Sequence, residues 1–174
     1  MKFEEFGLNE QLLEAIHYMN YTEATEIQSK AIPIILQNKD VIGCAQTGTG
    51  KTAAFILPIL NNIAKENTKG INTLVLVPTR ELAIQVGKVL KLFSKNNPLN
   101  ILVSYGGGAL KEQKELLNDT DILVGTVGRI SDYVEQDLFE LGRIKTLVLD
   151  EVDSMMQKHF QDELNYILKT TPKK

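Results

Sequence analysis

Lysine and threonine stand side by side at positions 51 and 52, at the end of Ala45-Gln46-Thr47-Gly48-Thr49-Gly50-Lys51-Thr52. A loop with two such glycines can turn tightly and aim its backbone N–H groups at phosphate oxygens. The apolar run Val41–Cys44 precedes it and a helical pattern follows, which is the setting a phosphate-binding loop needs. The start of that helix adds the positive end of its dipole. On this reading Lys51 reaches the β and γ phosphates of a nucleotide, and the Thr52 hydroxyl binds Mg²⁺. The strict pattern has glycine at position 45, and Ala45 departs from it. The other fixed positions would coincide by chance, in a chain this long, with a probability on the order of 10⁻³ or less.

A second constellation suits the first. Leu147-Val148-Leu149 runs straight into Asp150-Glu151. In a parallel sheet, ligands sit beyond the carboxyl ends of the strands. There Asp150 would hold Mg²⁺, largely through water, because Mg²⁺ keeps much of its hydration shell. Glu151 would orient and deprotonate an attacking water. A solvated acidic pair at a strand end is the alternative, and the phosphate loop weighs against it. No Asn-Lys-x-Asp element follows the loop, so the usual guanine reader is absent. One carboxylate for metal and one for water suits an ATPase.

These residues need a scaffold. Five short Val/Ile/Leu-rich runs, Val41–Cys44, Thr73–Val77, Ile101–Tyr105, Ile122–Gly125 and Thr146–Leu149, alternate with longer helical patterns. Apolar runs without polar alternation read as strands buried on both faces. Their alternation with helices predicts an α/β fold, a parallel sheet with helices on both faces. Two helical patterns come first, with Leu8, Leu12, Leu13 and Ile16 on one face and Ile27, Ala31, Ile35 and Leu36 on the other's. We therefore divide the chain into an N-terminal helical part, 1–36, and a core, 37–174, within one domain.

The composition agrees. Of 174 residues 43% are hydrophobic and 24% charged, too apolar for a disordered chain. The longest apolar run, Ala53–Leu57, ends at Pro58, far short of the ~20 residues of a membrane helix. One cysteine, Cys44, excludes an internal disulfide framework and fits a reducing compartment, so a cytoplasmic location is expected. Cys44 reads as a small buried strand residue, and Met155, Met156 and Phe160 as core residues after the last strand. Nineteen basic against 22 acidic residues give a net charge of −3. Nucleic-acid binding would thus rest on a few placed groups and not on the overall field.

The motifs converge on a family. In order they are Phe3; Asn20-Tyr21-Thr22-Glu23-Ala24-Thr25-Glu26-Ile27-Gln28; Ala45–Thr52; Pro78-Thr79-Arg80-Glu81-Leu82-Ala83; Gly107-Gly108; Thr126-Val127-Gly128-Arg129; and Asp150-Glu151-Val152-Asp153. The chain resembles the N-terminal RecA-like domain of DEAD-box RNA helicases over nearly its whole length. That resemblance implies a P-loop fold, ATP and Mg²⁺ as cofactors, and RNA as partner. It makes Gln28 the adenine reader, since a carboxamide can pair with adenine N6 and N7. Phe3 and Tyr21 become the aromatic positions around the adenine, and Thr25 the support of the phosphate loop formed by Gln46, Thr47, Gly48, Thr49, Gly50, Lys51 and Thr52. Lys51, Asp150 and Glu151 become the catalytic set. Thr79, Arg80, Gly107, Gly108, Thr126 and Arg129 match the segments that grip RNA phosphates and sugars, a sequence-independent contact. A simple turn at Gly107-Gly108 and exposed helix starts at Arg80 and Arg129 are the alternative readings from the residues alone.

Four departures stand out. Asn20 and Ala24 replace the family's Gly and Pro, which predicts a looser turn beside the adenine pocket. Val127 replaces a Pro and leaves its loop less pre-set. Val152 replaces an Ala, a larger side chain in what should be packed surroundings. The resemblance further implies that a Ser-Ala-Thr strand and a second RecA-like domain belong beyond Pro172. Without them the sheet would lack the strand between the phosphate-loop strand and the Asp150 strand. Very weak ATP turnover, no unwinding and a monomeric state are the expectations for this chain alone. A non-catalytic nucleotide-binding or partner-docking module, and a related DNA translocase, are the competing functions.

Overall fold

Four of the five apolar runs pair as strands: β1 (Thr73–Val77), β2 (Ile101–Ser104), β3 (Ile122–Thr126) and β4 (Thr146–Leu149). The computed structural model describes residues 1–66, 70–97, 99–107, 115–157 and 160–172. All pairs are parallel and the order is β2-β3-β1-β4. The helices are α1 (Glu10–Tyr18), α2 (Glu26–Leu36), α3 (Lys51–Glu66), α4 (Arg80–Phe93), α5 (Val127–Glu135), α6 (Val152–Met155) and α7 (Gln161–Thr170). No helix among the described residues is long and apolar enough to cross a membrane. The contacts divide the chain into two compact units, Met1–Thr68 with Val89–Pro98, and Lys69–Lys88 with Leu99–Lys174.

The second unit holds the whole sheet, and its register sorts side chains by type. Leu102, Leu123, Leu74 and Leu147 stand opposite one another, and one residue further along so do Val103, Val124, Val75 and Val148. Successive side chains on a strand point to opposite faces, so the sheet has a leucine face and a valine face. The leucine face packs against α5 and α7 through Val127, Ile130, Tyr133, Leu164 and Ile167. The valine face receives α4, whose Gly87 lies directly against the Val103 side chain. A Cβ at Gly87 would overlap that methyl group, so glycine is what lets helix and sheet approach this closely. Helices thus cover both faces, as the sequence pattern predicts.

The first unit is helical. Leu12 and Ile16 of α1, Ile32 of α2 and Ile56 and Leu57 of α3 form its core, each 3% exposed or less. Asn61, fully buried on α3, accepts a hydrogen bond from the Asn9 backbone N–H (2.9 Å), which ties the start of α1 to α3. Asn9 also caps α1, its side chain accepting from Leu12 N–H at 2.9 Å.

Three expectations need correction. Val41–Cys44 forms no strand; Ile42 is fully exposed and Cys44 is exposed, not buried. A strand exists only through ladder bonds to a neighbour, and every paired strand among the described residues belongs to the other unit. Met155 is buried and Phe160 packs against the core, but Met156 is 56% exposed. Val152 is 44% exposed rather than packed, because it begins the short outer helix α6.

Candidate functional site

In the first unit the residues expected to meet a nucleotide bond to one another. Thr25 and Gln28 form a capping box at the start of α2, in which the Gln28 Oε1 accepts from the Thr25 backbone N–H at 2.9 Å. The other end of the same carboxamide, Nε2, donates to the Gly50 carbonyl at 3.2 Å. Gln28 is 2% exposed, so a long polar side chain is buried with both ends satisfied. Gly50 has φ +88°, and a Cβ there would collide with Gln28 Nε2 and approach Thr25 Oγ1. Glycine is therefore required at position 50 both by its backbone and by its neighbour.

The loop itself is folded over its own polar groups. Lys51 Nζ donates to the Ala45 carbonyl at 2.8 Å, and Thr49 Oγ1 donates to the Gln46 carbonyl at 2.7 Å. Lys51 and Thr52 open α3, and both are half-buried. An ammonium group, a hydroxyl and free helix-terminal amides form a donor set suited to phosphate. Gln46, Thr47 and Gly48 are exposed along the loop. Phe3 is buried and its ring lies 6.3 Å from that of Tyr21, which meets Phe93 edge-on at 5.9 Å. The structure therefore brings Phe3 and Tyr21 together, and Thr25, Gln28 and Gly50 together.

The turn before Tyr21 is not loosened by Asn20. Asn20 has φ 57°, its N–H donates to the His17 carbonyl at 2.9 Å, and the Tyr21 N–H donates to the Ile16 carbonyl at 3.1 Å. Those two bonds complete a Schellman motif at the end of α1. Asparagine tolerates the left-handed region better than other non-glycine residues, which is how it stands in for glycine here.

In the second unit the remaining candidates sit beyond the carboxyl ends of parallel strands and share one edge of the sheet. Thr79 and Arg80 follow β1, Gly107 follows β2, Thr126 and Arg129 end β3 and begin α5, and Asp150 and Glu151 follow β4. Gly108 lies outside the described residues, as do Lys111, Lys114 and His159. Thr79 Oγ1 accepts from the Leu82 N–H at 3.2 Å and so caps α4. Arg80 is exposed, and its guanidinium lies 4.5 Å from the centre of the Tyr105 ring. Arg129, by contrast, is only 5% exposed, with its guanidinium 5.9 Å from the Tyr133 ring centre. Val127 occupies the first helical position of α5 and is fully buried in the core, so its side chain anchors the loop that a proline would have pre-set.

Asp150 is half-buried, and its backbone N–H donates to the Leu76 carbonyl at 3.0 Å, which extends the β1–β4 ladder by one bond. Glu151 is exposed with φ 57°, a left-handed backbone that costs a non-glycine residue on the order of 1–3 kcal/mol. Among the described residues no group of three or more His, Cys, Asp or Glu side chains could hold a metal by itself.

Comparison with known proteins settles the family. The DEAD/DEAH box helicase family model matches residues 25–174. The chain belongs to that family. It is 48% identical over 173 residues to the ATP-dependent RNA helicase CshA of Limosilactobacillus reuteri, covering 99% of this chain and 35% of that protein. The CshA of Listeria monocytogenes is 44% identical over 172 residues, 98% of this chain and 33% of its own length. The chain thus spans about a third of these relatives. Among solved structures, a DEAD box protein from Methanococcus jannaschii matches with a TM-score of 0.93 and 36% identity, over 99% of this chain and 47% of that one. A hypothetical ATP-dependent RNA helicase from Sulfolobus tokodaii matches at 0.85 and 36% identity, over 94% of this chain and 47% of that one. The DEAD/DEAH box assignment agrees with the parallel sheet and with the motif order.

Sequence reasoning passed over Ser104, Tyr105 and Tyr133. Their partners lie far along the chain, so no local pattern marks them; the tyrosine directly before the glycines at 106 and 107 was the one visible cue.

Proposed function

We propose that this chain is the ATP-binding portion of an ATP-dependent RNA helicase. The observation that carries the reading is the bond between Gln28 and Gly50. It couples the residue expected to read adenine directly to the loop expected to hold phosphate, within one compact unit. Adenine would take over the two hydrogen bonds of the Gln28 carboxamide, with Phe3 and Tyr21 beside the base. Lys51 would leave the Ala45 carbonyl for the β and γ phosphates. When bound, Mg²⁺ would offset the phosphate charge; Thr52 and Asp150 carry the oxygens that would hold it. Glu151 would hold the attacking water and take its proton.

Thr79, Arg80, Gly107, Gly108 and Thr126 would contact the RNA backbone without reading bases, and the buried Arg129 would support the start of α5 behind them. Full-rate hydrolysis and strand separation would belong to a longer polypeptide like the relatives, of which this segment spans about a third. Arginine fingers from a second domain can contribute ~10³–10⁵ in rate, so the segment alone should turn over ATP very weakly. An exposed Cys44 thiol fits a reducing, cytoplasmic setting.

The test is a titration with a fluorescent ADP analogue and Mg²⁺, competed by ATP, GTP and CTP, on the parent and on Gln28→Ala. Preference for adenine nucleotides that disappears in Gln28→Ala supports the proposal. Equal competition by all bases would leave a general P-loop nucleotide binder, and absence of binding would remove the ATP reading for this segment.

A further inference from the structure

The end of β2 is gripped from both faces of the sheet. On the leucine face, the Ser104 hydroxyl hydrogen-bonds the Tyr133 hydroxyl of α5. Both residues are buried, Ser104 at 2% and Tyr133 at 0% exposure. The Tyr133 ring in turn lies beside the buried Arg129 guanidinium at 5.9 Å. Room for this arrangement comes from Gly125, which stands opposite Ser104 in the ladder; a Cβ there would overlap Ile130 of α5. On the valine face, the next residue, Tyr105, lies under the Arg80 guanidinium at 4.5 Å. The last residue of β2 and the one after it therefore reach different partners on opposite faces, Tyr133 for Ser104 and Arg80 for Tyr105. The same strand end leads directly into Gly106-Gly107.

We infer that Ser104, Tyr105 and Tyr133 are positioning residues for RNA-backbone binding: they set Arg80, the glycine turn and the start of α5 in fixed relation before any phosphate arrives. The inference rests on the RNA reading proposed above. The physical basis is entropic and electrostatic. A free arginine side chain loses rotamer freedom when it binds phosphate, whereas one already laid over an aromatic ring has lost most of it beforehand. A guanidinium can stack on a ring and still offer its N–H fork edge-on to phosphate oxygens. Tyr105 serves Arg80 in this way. The Ser104–Tyr133 pair locks the strand end that carries Tyr105, and it ties that end to the helix that carries Arg129. None of the three residues needs to touch RNA.

The test reads the salt dependence of single-stranded RNA binding by this chain, starting at low salt. Each phosphate contact with a single strand contributes roughly 0.7 to the slope of log K against log salt. Arg80→Ala should lower the slope by about that amount, whereas Tyr105→Leu, which removes no charge, should weaken binding roughly 2- to 10-fold with the slope unchanged. Tyr105→Phe keeps the ring and should restore the parent affinity. Tyr133→Phe should weaken RNA binding severalfold while leaving the affinity for the fluorescent ADP analogue unchanged, which separates it from general unfolding. Parent-like affinity in Tyr105→Leu and Tyr133→Phe would overturn the inference with the RNA reading intact. If the parent shows no salt-dependent RNA binding at all, both fall together.

Discussion

The two units hold their functional residues in different ways. In the first, the site residues bond to one another: Gln28 to Thr25 and Gly50, Lys51 to Ala45, Thr49 to Gln46. Those are donors and acceptors that a nucleotide can replace one for one. In the second, the candidate residues follow the ends of parallel strands, of which the central two, β1 and β3, are buried, and the arginines lie against tyrosine rings. Stacking of that kind survives when a phosphate binds at the guanidinium edge. That contrast fits the proposed exchange of a nucleotide in the first unit and the proposed hold on an RNA backbone in the second.

The contrast can be broken most forcefully at the sheet. Leu123 is fully buried on the central strand β3, and Leu123→Ala should destabilise the second unit by about 2–5 kcal/mol. Denaturant unfolding followed by hydrogen exchange should show the loss in residues of β1, β2 and β3 first. Equal loss of protection across α1, α2 and α3 would mean that the two units unfold as one cooperative block. A smaller effect is expected at the exchangeable site. Lys51→Ala would remove the charge-assisted hydrogen bond proposed for phosphate, worth about 1.5–3 kcal/mol or roughly 10- to 150-fold in nucleotide affinity, with little change in melting temperature. Competition binding and a thermal melt on the same sample would check both halves of that statement.

The smallest effect concerns pH. Burial is the largest influence on the Tyr133 phenol and raises its pKa above the ordinary value of 10, while Ser104 and Arg129 pull it partly back. The neutral phenol is thus the form the fold prefers. Its share of stability is fully present below pH 10 and is lost as pH rises through the higher folded value. Melting curves from neutral to strongly alkaline pH should therefore fall more steeply in the parent than in Tyr133→Phe above that point. Parallel curves would show that Tyr133 is not shielded as the structure indicates.

Much of this was legible in the sequence, and the exceptions share a cause. The β1 boundaries coincide with the Thr73–Val77 run, because a strand buried on both faces leaves an unbroken apolar signature, and β4 coincides with the Thr146–Leu149 run although its residues are only half-buried. Val41–Cys44 carries the same signature and pairs with nothing, since ladder bonds depend on a neighbour and not on composition. Asn20 read as a defect because glycine was expected, whereas what the turn requires is a left-handed φ that asparagine can adopt. The Ala45–Thr52 loop was legible as a contiguous motif. Ser104, Tyr105 and Tyr133 were not, since Ser104 and Tyr133 are 29 positions apart. The alternative reading of Arg129 as an exposed helix start fails, because α5 turns its first residues into the core and buries it.

The alternation along β2 also bears on which changes in length the protein can survive. Inserting or deleting one residue within 101–103 would send every later side chain of the strand to the other face. Ser104 would leave Tyr133 and Tyr105 would leave Arg80 in a single event, so no intermediate with one contact intact exists. Substitutions here can be tried one at a time, but a change in length cannot. The stretch should therefore keep its residue count through lineages in which its composition drifts.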